Sequence, residues 1–347
     1  MGGTSAERDV SLASGLRVTE ALRSRGHDVV AIDTAGGPLA REDERALLAR
    51  KVVQPTPPSQ SELERMARET LPQMQRVLPS LRDADVVFLG LHGGAGEDGT
   101  IQALLDLAGV PYTGSGHLAS ALAMDKDLSK HLFARSGVGT AEWVMATAES
   151  ADGKSPAGKR FRDERITSLG LPVVVKPSKQ GSTVGLSVVK KAQDLAGAIE
   201  EAFRYDDEVM IERFIAGREL TVGILGDEAL PVGEIIPKHE IYDYECKYQA
   251  GMAVEEFPAK ISAAQTSAVQ EMARRAFRAL KLRGYARIDF RMSEEGSGEF
   301  YCLEANTLPG MTQTSLIPQA AAAAGIEFPE LCERIVRIAL DANERGG

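Results

Sequence analysis

Apolar runs of strand length recur along the chain and alternate with segments that have a helical pattern. Residues 27–33 (HDVVAID), 85–91 (DVVFLGL) and 172–177 (PVVVKP) are runs of this kind, and residues 209–215 (VMIERFI) form another. Short apolar runs bounded by Gly, Pro or charged residues are typical of β-strands. Because such runs alternate with helices, the pattern favours an α/β fold, and 347 residues are enough for two or three domains.

Breaks in this pattern indicate loops and domain boundaries. Residues 112–116 (YTGSG) interrupt the alternation, and the run at 209–215 lies close to a second boundary. Residues 150–165 are polar and irregular, which is typical of a surface loop or the flank of a helix. The Pro-rich residues 54–60 (QPTPPSQ) lead into a charged helix that begins near Ser61.

A pair of polar positions stands out in residues 301–312 (YCLEANTLPGMT). Glu304 and Asn306 share one face of the predicted strand, because side chains two residues apart point the same way. Their oxygen atoms suit Mg²⁺, although an edge strand with a solvated polar face explains this pair equally well. Upstream, the same alternation puts Arg287 and Asp289 on one face of a second strand. The added carboxylate and cation favour a divalent-metal site.

A lysine at the end of a predicted strand precedes a loop rich in Gly, Ser and Thr. Lys176 is followed by residues 177–185 (PSKQGSTVG). Such a loop can bring backbone N–H groups and an ammonium group against phosphate oxygens. The order G-x-x-x-x-G-K-[ST] of a P-loop is absent, and an exposed hairpin turn is the alternative interpretation. The strand-end lysine favours phosphate binding.

Four glycines follow Leu91 in residues 90–99 (GLHGGAGEDG), just before a helix that begins near Thr100. This turn differs from G-x-G-x-x-G, and its Glu97 and Asp98 are unfavourable neighbours for a pyrophosphate. His92 is the better candidate for a ligand contact, because α/β folds bind ligands at the carboxyl ends of their strands. A structural role for a single histidine is the alternative.

The amino terminus, residues 2–8 (GGTSAER), also has two interpretations. Ser5 is a suitable cap for the following helix, and Glu7 is favourable in its first turn. Helix capping explains both residues, so the local pattern assigns no catalytic role to Glu7.

Composition and charge narrow the class of protein. The 50 acidic and 40 basic side chains give a net charge of −10, which argues against nucleic-acid binding. Three cysteines, Cys246, Cys302 and Cys332, lie far apart without metal-ligand spacing, and we expect a reduced, cytoplasmic setting. No apolar run approaches membrane-spanning length, so no membrane partner is expected.

Taken together, these segments resemble the D-alanine–D-alanine ligase family of ATP-grasp enzymes. The resemblance is carried, in the family's order, by GGTSAERDVSL, LHGGAGEDGT, PYTGSG, SALAMDK, VVVKPSKQGSTVG, IYDYECKY, ARIDF and LEANTLPGMTQTSLIP. It covers nearly the whole chain and implies an α/β, three-domain ATP-grasp architecture. Residues 1–114 would be a Rossmann-like substrate domain, and residues 115–214 and 215–347 the two subdomains that hold ATP.

The resemblance also implies which residues bind the nucleotide and its metals. ATP phosphates would be contacted by Lys126, by Lys176 and, from the mobile loop at 241–248, by Lys247. The adenine and ribose would be held by Glu212, Arg213, Phe214, Ile215 and Glu219. Two Mg²⁺ (or Mn²⁺) would be held by Asp289, Glu304 and Asn306.

For the amino-acid substrates, the resemblance implies two D-alanines that are joined through an acyl phosphate for peptidoglycan synthesis. Glu7, supported by His92, would hold the first ammonium group, and Ser182 and Tyr248 would link to Glu7. The remaining roles fall on an oxyanion hole and a carboxylate site: Arg287 with the Gly310 N–H, and Ser315 with the Leu316 backbone. The family also makes a homodimer the expected assembly.

The second substrate stays open between D-alanine, D-serine and D-lactate. In the family, a tyrosine at the position of Tyr248 accompanies dipeptide synthesis and a phenylalanine accompanies depsipeptide synthesis. We therefore expect the dipeptide type, although a pocket discriminates weakly against one added hydroxyl group.

Two departures from the family pattern affect these expectations. The strand that precedes the GGTS loop in the family is missing here, which should expose neighbouring strand edges and leave Glu7 poorly anchored. We expect the true start codon to lie upstream, and an ATP-binding protein without ligase activity is the alternative. Intact metal, lysine and oxyanion positions favour the enzyme. The longer segment at 36–82 is expected to be a surface elaboration or a dimer contact.

Overall fold

The computed structural model describes residues 1–49, 60–147, 166–239, 251–294 and 298–346. The predictions for Lys247, Tyr248 and the loop at 150–165 concern residues outside these ranges. The helices are α1 Arg8–Ser24, α2 Arg41–Ala49, α3 Gln60–Arg68, α4 Thr70–Leu81, α5 Thr100–Ala108, α6 His117–Met124, α7 Lys126–Arg135, α8 Ile166–Leu169, α9 Leu195–Ala202, α10 Ala263–Ala279, α11 Leu316–Ala323 and α12 Phe328–Gly346. Among the described residues, no helix combines the length and apolar character needed to cross a membrane.

Twelve strands are found in the same ranges, and ten of them form two antiparallel sheets. The strands are β1 Ile32–Asp33, β2 Gly37–Pro38, β3 Trp143–Thr147, β4 Val173–Pro177, β5 Ser187–Val189, β6 Glu208–Arg213, β7 Gly217–Leu225, β8 Glu228–Ala229, β9 Gly233–Pro237, β10 Ala253–Glu256, β11 Tyr285–Ser293 and β12 Phe300–Asn306.

The amino-terminal part contains less regular strand than its apolar runs predict. In the run at 27–33 only β1 is a strand, and in the run at 85–91 a single bridge joins Val87 to Tyr112. Residues of both runs line a groove of about 470 Å³, together with apolar side chains of α1 and α4. A strand ladder needs a neighbour at hydrogen-bonding distance, and within the described residues these runs have only the β1–β2 pairing and the Val87 bridge.

The expectation that Glu7 is poorly anchored is wrong. The Met1 ammonium donates to Ile32 O at 3.0 Å, and the Gly3 N–H donates to the Thr34 hydroxyl at 2.9 Å. Arg8, next to Glu7, forms a two-pronged ion pair with the largely buried Asp33. These contacts tie both sides of the loop to β1 and to Thr34, the residue after it. Glu7, and not Ser5, is the residue that precedes α1, and Ser5 Oγ instead accepts the Glu7 N–H.

The segment at 36–82 is also more than a surface elaboration. Met74, Val77 and Leu81 of α4 are buried in a core that includes α1 and α5. At its amino-terminal end, the Thr70 hydroxyl contacts the Thr4 hydroxyl at 2.6 Å. Helix α4 therefore supports the loop that carries Glu7.

The first of the two sheets has the strand order β3-β6-β4-β5. Val173, Val175, Val209 and Ile211 are fully buried in it, and α9 covers this face with residues such as Ala202. The continuous apolar runs thus become the central strands β4 and β6, as their sequence predicts.

The second sheet has the order β10-β9-β7-β11-β12, with β8 beside β7. Helix α10 packs on one face and begins with a capping box between Ser262 and Gln265. Helices α6 and α7 join the same core, where Phe133 is fully buried. The loop before β3 reaches the edge strand, since the Cys302 N–H donates to Gly139 O at 2.8 Å. The two sheets therefore meet along β12.

Replacing Met74 by alanine tests the structural role of α4. Because Met74 is buried against α1 and α5, Met74→Ala should lower the free energy of unfolding by about 2–5 kcal/mol. Urea unfolding followed by circular dichroism measures this loss. The control Gln75→Ala changes an exposed neighbour and should stay within about 0.5 kcal/mol of the wild type. Equal stability of the two variants would contradict burial of this helix.

Candidate active site

A cleft is lined by residues of both sheets. Residues of β4 and β6 line it on the side of the first sheet and residues of β12 on the side of the second, and its lining includes charged side chains of both signs. The residues that line it include Lys126, Lys176, Glu212, Phe214, Glu219 and Glu304. The cleft thus gathers most of the residues that the sequence assigns to nucleotide binding.

Glu212 on β6 is the most enclosed charge in this cleft. Its side chain accepts from Lys176 Nζ at 2.5 Å and from Lys130 Nζ at 2.6 Å. Burial alone would raise the pKa of Glu212, but the charges of the two lysines outweigh it and lower the pKa from 4.5 to about 2. Sequence reasoning missed Lys130, because a helical lysine ordinarily faces solvent. Burial lowers the pKa of Lys130 even beside Glu212.

Lys126 reaches across the cleft from the start of α7. Its Nζ donates to Gln180 O at 2.7 Å, in the Gly-rich loop, and lies 3.5 Å from Glu304 Oε2 on β12. One ammonium group therefore links the loop after β4 to the strand of the predicted metal ligands.

The turn between β6 and β7 is held by backbone hydrogen bonds. The Arg213 N–H donates to Glu142 O at 2.9 Å, and the Phe214 N–H donates to Pro172 O at 3.1 Å. Arg291 of β11, which sequence reasoning missed, donates to Ile215 O at 3.1 Å and contacts Glu219 at 3.3 Å. The residues predicted to hold the adenine and ribose thus lie together in the lining of the cleft.

The predicted metal ligands lie side by side. In the β11–β12 pair, Asp289 is opposite Glu304 and Arg287 is opposite Asn306, so all four side chains share one face. Asn306 Nδ2 donates to Asp289 Oδ2 at 3.0 Å, and the Thr221 hydroxyl donates to Asp289 Oδ1 at 2.7 Å.

This donor set fits Mg²⁺. Two carboxylates and an amide oxygen are hard ligands, and nucleotide-linked Mg²⁺ takes one or two carboxylates with the rest from water and phosphates. Within the described ranges no group of three or more His, Cys, Asp or Glu side chains could hold a metal without such help. Arg287 donates to both Asp289 oxygens, the closer through Nη2 at 2.9 Å.

Glu7 contacts the loop at 177–185, several residues of which line the cleft. The Ser182 hydroxyl donates to Glu7 Oε1 at 2.6 Å, as the resemblance implies. Ser182 and Thr183 have φ of 52° and 63°, a left-handed backbone that non-glycine residues adopt at a cost of about 1–3 kcal/mol. A Cβ on Gly93 would lie 2.6 Å from Glu7 Oε2, so a side chain there would displace the Glu7 carboxylate, and the φ of 66° at Gly93 also favours glycine.

His92 is buried and hydrogen-bonded within the protein through both ring nitrogens. Its Nδ1 is 2.8 Å from Leu308 O and its Nε2 is 2.9 Å from Ser14 Oγ, so both ring nitrogens are engaged by the protein. Because Leu308 O can only accept, Nδ1 carries the proton and Nε2 accepts from Ser14. Burial lowers the pKa of His92, although Glu7 raises it, which is consistent with a neutral ring. The support of Glu7 by His92, which the resemblance implies, stays a prediction.

Glu97, set aside in the sequence as unfavourable for a pyrophosphate, is a buried part of this region. It accepts the Gly93 N–H at 2.7 Å and the Leu308 N–H at 3.1 Å. Burial and the nearby charge of Glu7 raise the pKa of Glu97 to about 7, against the effect of these two hydrogen bonds.

The predicted carboxylate site lies at the start of α11. Ser315 precedes the helix, and its Oγ accepts the Thr312 N–H at 3.0 Å. A Cβ on Gly310 would lie 2.6 Å from that same Oγ. Gly310, Ser315 and the amino-terminal end of α11 at Leu316 are therefore adjacent, and a helix amino terminus favours anions.

Comparison with known proteins agrees with this geometry. The model of the D-ala D-ala ligase N-terminus matches residues 1–115, and that of the D-ala D-ala ligase C-terminus matches residues 132–337. A D-alanine–D-alanine ligase of Geobacter sulfurreducens is 44% identical over 97% of this chain and 91% of the relative. A D-alanine–D-alanine ligase of Halalkalibacterium halodurans is 42% identical over 98% of this chain and 97% of the relative.

Solved structures give the same result. The crystal structure of D-alanine–D-alanine ligase from Bacillus anthracis has a TM-score of 0.77 at 31% identity and covers 100% of this chain and 98% of its own. The same enzyme complexed with ATP has a TM-score of 0.75 at 29% identity, with the same coverage. The fold and the charged cleft define an ATP-grasp enzyme. Within that class, the chain belongs to the D-alanine–D-alanine ligase family.

Replacing Glu212 by glutamine tests the buried charge cluster. Glu212→Gln leaves Lys130 without its buried counter-ion and should lower the free energy of unfolding at pH 7 by about 3–5 kcal/mol. The folded-state pKa is depressed, so the contribution is fully present above about 4.5 and is lost as the pH falls through about 2. Urea unfolding at several pH values should therefore show a difference in the free energy of unfolding between the wild type and Glu212→Gln that narrows below pH 4.5.

The matched control is Glu208→Gln on the same strand. Glu208 is half-exposed beside Lys179, and a surface pair of this kind contributes about 0–1 kcal/mol. Comparable losses in the two variants, or a gap for Glu212→Gln that is constant with pH, would contradict the cluster.

Proposed function

We propose that this protein joins two D-alanine molecules into D-alanyl-D-alanine, with conversion of ATP to ADP and phosphate, for peptidoglycan synthesis. The observation that carries the proposal is the junction between Glu7 and Ser182. It sets a carboxylate suited to an ammonium group against the loop suited to phosphates. Membership of the ligase family supports the same reaction.

ATP would occupy the cleft lined by residues of both sheets. The backbone at 213–215 and Phe214 suit the adenine, Glu219 suits the ribose, and Lys126 and Lys176 suit the phosphates. Both lysines already contact carboxylates, so phosphate oxygens would replace or share these partners without burying a new charge. Lys247 is proposed as a further phosphate contact on the basis of the resemblance alone.

Asp289, Glu304 and Asn306 would hold the two metal ions. When bound, Mg²⁺ neutralises charge on the phosphates during transfer. The chain's own contribution is to orient these ligands: Arg287 and Thr221 fix the Asp289 carboxylate between them.

In the first step, the carboxylate of the first D-alanine attacks the γ-phosphorus, giving D-alanyl phosphate and ADP. Glu7 would hold the ammonium group of this molecule and thus keep its carboxylate in line for attack. Ser182 donates a hydrogen bond to Glu7 and so fixes the orientation of the Glu7 carboxylate. Tyr248 is proposed to complete the same network.

In the second step, the amine of the second D-alanine attacks the acyl carbon and phosphate leaves. Negative charge develops on the carbonyl oxygen, and Arg287 and the Gly310 N–H are the proposed donors to it. Loss of one such donor typically costs about 3 kcal/mol of transition-state stabilisation. Ser315 and the backbone of Leu316 would hold the second molecule's carboxylate, which suits a helix amino terminus.

Substituting Glu7 tests the ammonium site. Glu7→Gln keeps the shape of the side chain but removes its charge, so kcat/KM for D-alanine should fall at least about thirtyfold. This corresponds to a loss of about 2–5 kcal/mol of transition-state stabilisation. Steady-state phosphate release measures this, and KM for ATP should stay constant. Glu20→Gln, an exposed residue of the same helix, is the control and should behave as the wild type. Unchanged D-alanine kinetics in Glu7→Gln would rule out this role.

Product analysis tests the second substrate. We expect phosphate release with D-alanine, and mass spectrometry should find D-alanyl-D-alanine as the main product when D-alanine, D-serine and D-lactate are offered together. The reason is the tyrosine at 248, which accompanies dipeptide synthesis in the family. A depsipeptide product would overturn this argument, and no phosphate release with any of the three would support an ATP-binding protein without ligase activity.

From the resemblance we also infer a homodimer that acts in the cytoplasm.

A further inference from the structure

The turn that carries Gly310 is held from outside by side chains far away in the sequence. Residues 308–311 (LPGM) follow β12, and both Leu308 and Met311 are buried. Glu97 accepts the Leu308 N–H at 3.1 Å, while His92 Nδ1 donates to the Leu308 C=O at 2.8 Å. Both backbone groups of Leu308 are therefore engaged by side chains from the Gly-rich loop after residue 91.

Met311 is held in the same way by helix α1. Its N–H donates to Ser14 Oγ at 3.1 Å, and its C=O accepts from Arg17 Nη1 at 3.0 Å. The Arg17 guanidinium also stacks on the Phe328 ring, 3.5 Å from its centre, which fixes its direction. At each end of the turn, both the backbone N–H and the backbone C=O are therefore hydrogen-bonded to side chains.

The contacts at Leu308 and those at Met311 are connected through one chain of hydrogen bonds. Ser14 donates to His92 Nε2 at 2.9 Å and accepts from Met311, while His92 Nδ1 donates to Leu308. Each hydrogen bond in this chain has only one possible direction, because the Met311 N–H can only donate and the Leu308 C=O can only accept. Ser14 is fully buried and His92 nearly so, so water does not compete for these contacts.

Pro309 and Gly310, the residues between Leu308 and Met311, leave one N–H for a ligand. Pro309 has no N–H, and the Gly310 N–H makes no hydrogen bond to any residue that the structure describes. A side chain at Gly310 would collide with Ser315 Oγ. The turn therefore presents a single backbone donor whose position is set by its two clamped neighbours.

Glu97 also connects this turn to the ammonium site. Its other oxygen accepts the Gly93 N–H at 2.7 Å, and Gly93 packs directly against the Glu7 carboxylate. Under the proposed reaction, Glu7 and Gly310 act on the two ends of one D-alanine molecule. A single carboxylate thus fixes the distance between the two groups that must act together.

We propose that Ser14, Arg17, His92 and Glu97 are positioning residues that clamp the 308–311 turn and aim the Gly310 N–H at the carbonyl oxygen of the reacting acyl group. This inference rests on the proposed function for the identity of that acyl group. Reacting groups must be held to within a fraction of an ångström for full effect, so a loosened clamp lowers kcat more than substrate binding.

Amide hydrogen exchange, followed by NMR in the full chain, tests the clamp without substrate. Glu97→Gln keeps the size of the side chain but accepts through only one oxygen, so one of its two N–H partners loses its acceptor. We expect exchange about tenfold faster or more at Gly93 or Leu308 in Glu97→Gln, and at Met311 in Ser14→Ala. Unchanged exchange at all three amides would overturn the clamp.

Kinetics of paired arginine variants test its role in the reaction. Arg17→Met keeps packing on Phe328 but has no donor for Met311, whereas Arg17→Lys keeps one. For Arg17→Met we expect a kcat about 10- to 100-fold lower, less than the 10²- to 10³-fold loss of a direct oxyanion donor, with KM for ATP unchanged. Arg17→Lys should recover most of that loss. Equal kcat in Arg17→Met and the wild type, or equal losses in both variants, would overturn the positioning role.

The matched control is Arg25→Met, which removes an arginine at the other end of α1. Arg25 pairs with Glu333 of α12 and does not touch the turn, so its variant should keep the wild-type kcat. If the wild type releases no phosphate with D-alanine, the proposed function fails, and the role of the turn in that reaction fails with it. The exchange experiment still decides whether the four side chains clamp the turn.

Discussion

The antiparallel register of β11 with β12 is the constraint on which the rest of the site depends. It sets Asp289 opposite Glu304 and Arg287 opposite Asn306, so the metal ligands and the neighbouring cation occupy one face. A slip by one residue would turn all of these side chains into the opposite face and the core residues outward. The buried neighbours Ile288, Phe290 and Cys302 prevent such a slip. The continuation of β12 then delivers the turn with Gly310.

Charge pairing is the second common feature of the cleft. Lys126 lies by Glu304, Lys176 by Glu212, and Arg287 by Asp289, so each proposed contact to phosphate or oxyanion already has an acidic partner. Cations held in this way are oriented before substrate arrives, and little reorganisation is needed during the reaction. Lys130, buried beside Glu212, gives that carboxylate a second cation besides Lys176, and the two lysines together lower its pKa.

The sequence predicted well those features that depend on neighbouring positions. Strand alternation was sufficient to place Glu304 beside Asn306 and to recognise β4 with its terminal lysine. It failed where a role depends on distant contacts. Glu97 and His92 are near each other in sequence, but their partner Leu308 is more than 200 residues away. The same holds for the anchoring of Glu7, which needs Asp33 and Ser182, and for α4, whose core-facing residues are visible only once α1 is packed against them.

The closeness of Gly310 and Ser315 has a consequence for how this site can change. Any side chain at 310 must displace the Ser315 hydroxyl, because a Cβ there would lie 2.6 Å from it. The proposed donor to the oxyanion and the proposed contact to the second substrate's carboxylate thus share one small volume. Drift toward a different second substrate cannot explore these two positions independently. Evolution of specificity here is expected to run through residues around the pair, while the pair itself is inherited as a unit.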